Sequence, residues 1–325
     1  MQTITRRHTL RAGAGLLALA ARPARAAAWP DRPVRVIAPF APGGPSDLMA
    51  RLLSAKLADA LGQPFYVENR AGAGSNIGTA VAARSTPDGY TLLLTSSAFV
   101  VNPGLYKKIP YDAVADFAPV AELVTSPNVF IATPASGITS IEGLVAAAKA
   151  RPEFYNYASA GIGTTPHLAT EMLKTAAGIK LQHVPFAGAG PAMQAILSGT
   201  VPLGCAALPG AHPSILNHDI KALAVTGTER WYDLPDVPTM LELGYKGFVS
   251  DTFHALLAPA GTPTDIVAAL AKASNDAIKQ PAFHEQLRTL GFEIIANGPE
   301  GLKRRIETEL PMYRDVISRA SIEPV

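Results

Sequence analysis

Two short segments hold the residues best suited to chemistry. Pro39-Phe40-Ala41-Pro42-Gly43-Gly44-Pro45-Ser46-Asp47 follows a β-branched run, and Ser159-Ala160-Gly161-Ile162-Gly163-Thr164-Thr165-Pro166-His167 follows a short extended stretch. Each sets glycines and hydroxyl side chains just ahead of a helical pattern. Glycine lets backbone N–H groups approach a ligand with no Cβ in the way, and a helix N-terminus favours an anion. Two such loops facing across a cleft would hold a small carboxylate at both ends, or at one end with waters bridging. Several of these residues also have a plainer reading. Asp47 suits a helix cap, Ser46, Ser96 and Ser159 suit local backbone hydrogen bonds, and His167 suits a packed position just inside a helix.

Covalent chemistry finds little support. The sequence contains no G-x-S-x-G elbow, no H-E-x-x-H pair and no phosphate-binding G-x-x-x-x-G-K-[ST]. Gly72-Ala73-Gly74-Ser75-Asn76-Ile77-Gly78 resembles a dinucleotide fingerprint, yet three residues rather than two separate its second and third glycines. The histidines, at 8, 167, 183, 212, 218, 254 and 284, do not fall at metal-ligand spacing with Cys or carboxylates, so no metal and no cofactor are expected. Cys205 is the single cysteine, set in an apolar run; it reads as a small buried hydrophobe and excludes an intramolecular disulfide. The competing reading is a periplasmic enzyme acting on a small organic acid, with His167 as base and Ser159 as nucleophile or donor. It lacks an orienting acid close in sequence to either residue.

The loops need elements to position them. Val34 to Ala38 reads as a buried strand, followed by a helix that starts at Ser46 or Asp47 and stops at Gly62. Strands at Phe65 to Glu68 and Thr91 to Thr95 flank a helix at Ile77 to Arg84, an alternation that predicts a parallel sheet with helical crossovers. The pattern restarts with strands at Asn128 to Ala132, Asn156 to Ala158, Gln182 to Val184 and Lys221 to Val225, separated by helices at Ile141 to Ala150, Pro166 to Ala177 and Pro191 to Leu197. Phe248 to Ala258 is a further predicted strand, followed by helices at Thr264 to Lys279 and Pro281 to Leu290 and a strand at Phe292 to Ile295. A last helix from Gly298 contains Pro311, which predicts a kink between Glu307 and Met312. The fold class is therefore α/β, in two units, with one candidate loop from each.

Composition narrows the partners. The 325 residues carry 28 Lys plus Arg against 26 Asp plus Glu, a formal charge of +2, which excludes the strong basic excess of a nucleic-acid binder. Residues 1–26 read as an export signal: a basic Arg6-Arg7-His8-Thr9-Leu10-Arg11, an uncharged stretch from Ala12 to Ala21, and small residues around Ala24-Arg25-Ala26. The arginine pair fits a twin-arginine signal and equally an ordinary secretory one. That segment holds five arginines and no acid, so the remaining chain has 23 basic against 26 acidic residues, or −3. Uncharged stretches at 89–106, 123–141 and 181–218 are interrupted by Pro, Asn, Ser or Thr and do not read as membrane spans. The periplasm is the expected location.

Several blocks resemble a known family. Trp29-Pro30-Asp31-Arg32-Pro33-Val34-Arg35, the first loop, Val67-Glu68-Asn69-Arg70-Ala71-Gly72-Ala73-Gly74, Pro87-Asp88-Gly89-Tyr90-Thr91-Leu92, Leu234-Pro235-Asp236-Val237-Pro238-Thr239 and Leu257-Ala258-Pro259-Ala260-Gly261-Thr262-Pro263 look like the Bug family. These are extracytoplasmic solute receptors of tripartite tricarboxylate transporters. The resemblance implies a type II periplasmic-binding-protein fold, with Domain 1 at 29–125 plus 250–325, Domain 2 at 126–249, and a hinged cleft that closes on ligand. It implies a carboxylate ligand, and as partners membrane permease subunits or a sensor kinase; a monomer is expected. Carried over by position, the ligand-binding candidates are Phe40, Pro42, Gly43, Gly44, Ser46, Asp47 and Ser96 from Domain 1, with Ser159, Gly163, Thr164, Thr165, His167 and Phe186 from Domain 2.

The chain departs from the family pattern where polar groups are usual. It has Ala206-Ala207-Leu208-Pro209-Gly210 in place of Asp-Asn followed by Leu-Pro-Ser, and Ala187 where a basic residue is common. With Phe186 and Phe253 expected nearby, these alanines predict an apolar distal pocket and a ligand with one carboxylate and a weakly polar or aromatic body.

Overall fold

The computed structural model describes residues 29–319 and 322–325. The export segment read in residues 1–26 lies outside them. In chain order the first lobe opens with β1 (Val34–Ala38), α1 (Pro45–Leu61), β2 (Phe65–Asn69), α2 (Asn76–Ala83), β3 (Thr91–Ser96), α3 (Ala98–Leu105) and β4 (Phe117–Thr125). The second lobe follows: β5 (Asn128–Ala132), α4 (Ile141–Ala150), β6 (Asn156–Ser159), α5 (Thr165–Ala177), β7 (Gln182–Pro185), α6 (Ala189–Leu197), β8 (Leu203–Ala207), α7 (Leu208–Leu216) and β9 (Lys221–Val225). The chain then returns to the first lobe with β10 (His254–Pro259), α8 (Thr264–Ile278), α9 (Pro281–Thr289), β11 (Glu293–Asn297) and α10 (Pro299–Arg319).

The first sheet has strand order β11-β4-β10-β3-β1-β2 and the second β7-β6-β8-β5-β9. Both are mixed, which corrects the expected all-parallel pairing. β1 pairs in parallel with β2 and β3, but β10 runs antiparallel to β3 and β4, and β5 antiparallel to β8 and β9. The reason is geometric: β5 and β10 each follow a crossing between lobes, so they run away from the crossing while their neighbours run toward it. At the crossing, Ser126 and Thr252 exchange backbone hydrogen bonds of 3.0 and 2.8 Å, tying the two connecting segments together.

Strand alternation places apolar residues on both faces of each sheet. Leu92 and Leu94 of β3 pack with Met49, Leu53 and Leu57 of α1, while Leu93 faces Phe99 of α3 and Leu302, Ile306 and Ile317 of α10. This alternation on a strand buried on both sides is what holds the carboxyl ends of β1 and β3 in place. Cys205 is buried among apolar residues of the second lobe, where desolvation raises its thiol pKa.

Some elements differ from expectation. α10 is assigned as one continuous helix through Pro311; Pro311 lies on the exposed face, where water can donate to the released carbonyl. β10 begins at His254 rather than Phe248, because 250–252 form the crossing and Phe248 packs on Phe130 in the second lobe. β4, β8, α3 and α7 were not anticipated. The two helices contain Pro103 and Pro213, and β8 is part of a continuous apolar run with no helix or strand period.

Candidate functional site

The cleft lies where the carboxyl ends of the two sheets meet, and the first loop enters it from β1. A glycine at 44 caps α1 and Pro45 occupies its first turn, a position that needs no N–H. Asp47 does not cap with its side chain in the usual sense. Its Oδ2 accepts from the Gly43 N–H at 3.1 Å and from Arg51 Nε at 3.1 Å, and its Oδ1 accepts from Asn69 Nδ2 at 2.9 Å. Burial alone would raise its pKa, but the bonds from Arg51, Gly43 and Asn69 outweigh that and hold the carboxyl below its ordinary value. Asn69 also donates to the Phe40 carbonyl at 3.0 Å, so the loop is fixed from both ends.

The second loop is organised differently. Ser159 Oγ lies 2.6 Å from His183 Nε2 and accepts from the Gly161 N–H at 3.2 Å, while Thr164 Oγ1 donates to the Gly161 carbonyl at 2.8 Å. His167 Nδ1 accepts from the Gly163 N–H at 3.4 Å. Beneath the loop, Tyr157, His183 and His167 form a column of rings, with centroids 4.7 and 4.4 Å apart and interplanar angles of 14° and 20°. Burial pushes His167 down to about 4 and His183 down to about 3, so both imidazoles stay neutral at pH 7.

A third loop, not singled out as a unit in the sequence, seals the contact. The Ala41 N–H donates to the Ala187 carbonyl across the lobes at 3.1 Å. A Cβ at Gly190 would stand 2.6 Å from the Pro42 carbonyl oxygen, and one at Gly163 only 2.0 Å from Asn102 Oδ1. Glycine at 190 lets the lobes meet backbone to backbone, and glycine at 163 lets the second loop close on the Asn102 side chain.

Between the lobes lie two chambers that share Phe40 and Ala160 as walls. The inner one has a volume of about 40 Å³. Gly44, Pro45 and Ser46 of the first loop line it, with Ser96, Thr252 and His254 on the same lobe and Thr164, Thr165 and Pro166 opposite. Ala189 and Ala207 complete the wall. Four helix N-termini therefore converge here: those of α1, α5, α6 and α7. Among the described residues no Lys, Arg, Asp or Glu lines this chamber. His254, whose Nε2 is 3.2 Å from Ser46 Oγ, is pushed by burial down to about 3 and is neutral. The outer chamber, of about 200 Å³, is walled by Phe40, Tyr106, Ile162 and Phe186, with Ala187 and the backbone of 72–75.

The expected site residues divide into two groups. Phe40, Gly44, Ser46, Ser96, Thr164 and Thr165 line the inner chamber, and Phe186 the outer one. Pro42, Gly43, Asp47, Ser159, Gly163 and His167 line neither and instead shape the loops. Of the departures noted in the sequence, Ala207 and Ala187 face the chambers, whereas Ala206 packs into the apolar core and Phe253 is fully buried under Arg305. Ser159 pairs with His183 rather than His167 and is wholly buried, which leaves it no access to a substrate. Thr252, His254 and His183 were missed; they come from β10, its approach and β7, far from the glycine-rich signals. Among the described residues there is no cluster of three metal-ligating side chains, and no helix is long and apolar enough to cross a membrane.

A two-lobed α/β body with an anion-favouring chamber at the lobe junction defines a ligand-capturing receptor. Comparison with known proteins is in accord. Residues 49–322 match the model of the tripartite tricarboxylate transporter family receptor, TctC. The chain is 37% identical over 299 residues to BugT of Bordetella pertussis, covering 91% of this chain and 92% of BugT. Among solved structures it is similar to the periplasmic binding protein BugD (TM-score 0.88, 37% identity, 91% of this chain and 99% of BugD). It is also similar to Rpa4515 of R. palustris with adipate (TM-score 0.89, 33% identity, 91% of this chain and 100% of that one). The chain belongs to the TctC family of tripartite tricarboxylate transporter receptors, and its fold is that of the periplasmic binding proteins.

Proposed function

We propose that the protein is a periplasmic receptor that captures a small carboxylate between its lobes, closes over it about the 126 and 252 crossings, and presents the closed form to a membrane partner. The observation that carries this is the convergence of four helix N-termini on one chamber without a cationic side chain. Each terminus brings unpaired N–H groups and the positive end of a helix dipole. Together with the Ser46 and Ser96 hydroxyls these can neutralise a carboxylate by hydrogen bonds alone, as a preformed site rather than a salt bridge. Rpa4515, one third identical, is a structure with adipate, which supports the ligand class. The partner we assign is the permease of a tripartite transporter, from the family.

Capture involves no covalent step. Incubating the purified chain with any carboxylate that stabilises it should return the compound unchanged at one per chain, and small-angle scattering should show compaction on binding. Ser46→Ala and Ser96→Ala should each weaken binding by about 0.5–3 kcal/mol, the upper end applying if the lost bond is to a charge. Turnover of the compound, or unaltered affinity in both variants, would overturn this reading.

A further inference from the structure

The two chambers differ in size and in what their walls offer, and together they describe a molecule. The inner chamber, at about 40 Å³, compares with the ~10–15 Å³ that a cavity needs to hold one water. It has room for a carboxylate group. The outer chamber, at about 200 Å³, exceeds the ~150 Å³ of an apolar protein cavity known to take up benzene. One six-membered ring fits it. Phe40 and Ala160 border both spaces, so a single ligand would pass between them with its head in one and its body in the other.

The outer walls favour a ring over a second charged end. Phe40, Tyr106, Ile162 and Phe186 supply apolar and aromatic surface, against which a ring can stack or pack edge-on. No Lys, Arg, His, Asp or Glu side chain lines the chamber among the described residues. The Tyr106 hydroxyl is directed at the Ile162 carbonyl, 3.4 Å away, on the opposite lobe. A second carboxylate placed here would meet no cationic side chain and only one helix start, that of α2 behind the 72–75 backbone, against the four that converge on the inner chamber. Ala187, on the rim, adds no polar group.

Resting on the carboxylate-receptor reading above, we infer that the ligand class is an aryl monocarboxylate: one ring joined directly, or through one carbon, to a carboxylate. Isothermal titration of the purified chain with benzoate, phenylacetate, acetate, adipate and malate tests it. Benzoate or phenylacetate should bind at least tenfold tighter than the other three. Ala187→Leu, which intrudes on the outer chamber from an exposed loop, should weaken the preferred aryl acid at least tenfold and acetate less. Phe186→Ala, a second wall residue, should also weaken it and serves if the first variant does not fold. Tighter binding of adipate or malate overturns the ligand class and leaves the carboxylate receptor standing. No binding by any of the five overturns both. Aryl-acid affinity unchanged in both variants overturns the placement of the ring.

Discussion

The loop at 39–47 turns into α1 on a carboxylate, whereas the loop at 159–167 turns into α5 on a column of neutral rings. In sequence they look alike, each with glycines, hydroxyls and an early proline. In the structure Asp47 gathers the Gly43 N–H, Arg51 and Asn69, and Arg51 reaches the surface with 53% of its side chain exposed. The other loop hangs from Ser159, Gly161 and Gly163 over His183 and His167, both held neutral by burial. The difference teaches that a chamber for an anion can tolerate a carboxylate nearby only when that charge is already spent on bonds facing away from the ligand. On the second lobe the loop rests instead on neutral rings.

The largest way to break the contrast is acid. His167, His183 and His254 have folded pKa values pushed down to about 4, 3 and 3 from an ordinary 6.5. Between those values the unfolded chain binds more protons than the folded one, so stability rises with pH from about 4 to 6.5 and is lost on acidification. Asp47, whose pKa is lowered, contributes stability above its unfolded value and loses it only as pH falls through its folded value. Glu309 works the other way. Burial pushes it up to about 7, so its contribution shrinks as pH rises from 4.5 to 7, one carboxylate against three imidazoles. The melting temperature should therefore climb from pH 4 to 6.5, and climb more steeply in Glu309→Gln. A flat profile over that range would show that the imidazoles are not held neutral.

Next in size is the central ring of the column. His183→Ala removes the partner of the buried Ser159 hydroxyl and the ring between Tyr157 and His167, and should lower stability by about 2–3 kcal/mol. His183→Phe keeps the stack and loses only the hydrogen bond, so its cost should be smaller, about 1 kcal/mol. Urea unfolding of both variants separates packing from hydrogen bonding. Equal losses would mean that stacking contributes nothing.

Much of this arrangement was legible in the sequence. The strand-then-glycine pattern located both loops and both helix starts, because glycine and proline have local conformational reasons to be where they are. Strand direction was not legible: β5 and β10 read like any buried strand, and only the crossing between lobes reverses them. α3 and α7 were hidden by Pro103 and Pro213, which tertiary packing accommodates. The inner chamber was half legible. Ser46 and Thr164 announce themselves beside glycines, but Thr252 and His254 arrive from residues more than 80 positions from either loop, where no local pattern marks them. Asp47 and His167 carried two readings in the sequence, ligand contact and support of the loop, since spacing alone cannot tell a residue that faces a ligand from one that holds the loop.

The smallest effect is the sharpest test of the contrast. Asp47→Asn keeps the shape and one acceptor for the Gly43 N–H but removes the charge that draws Arg51. Since the guanidinium is half exposed, the ion pair itself is worth little; most of the loss should come from the bond from Asn69, which the new amide NH2 cannot accept, and from the weakened bond to Gly43, for a total of about 1 kcal/mol. Salt divides the two contributions. At about 1 M NaCl the Debye length falls to about 3 Å, so the part due to Arg51 should disappear while the part due to Asn69 and Gly43 persists. The Asp47→Asn deficit, measured as a urea midpoint at low and high salt, should shrink with salt, and the His183→Ala deficit should not. If both shrink alike, the second loop is held by charge after all, and the distinction between the two lobes fails.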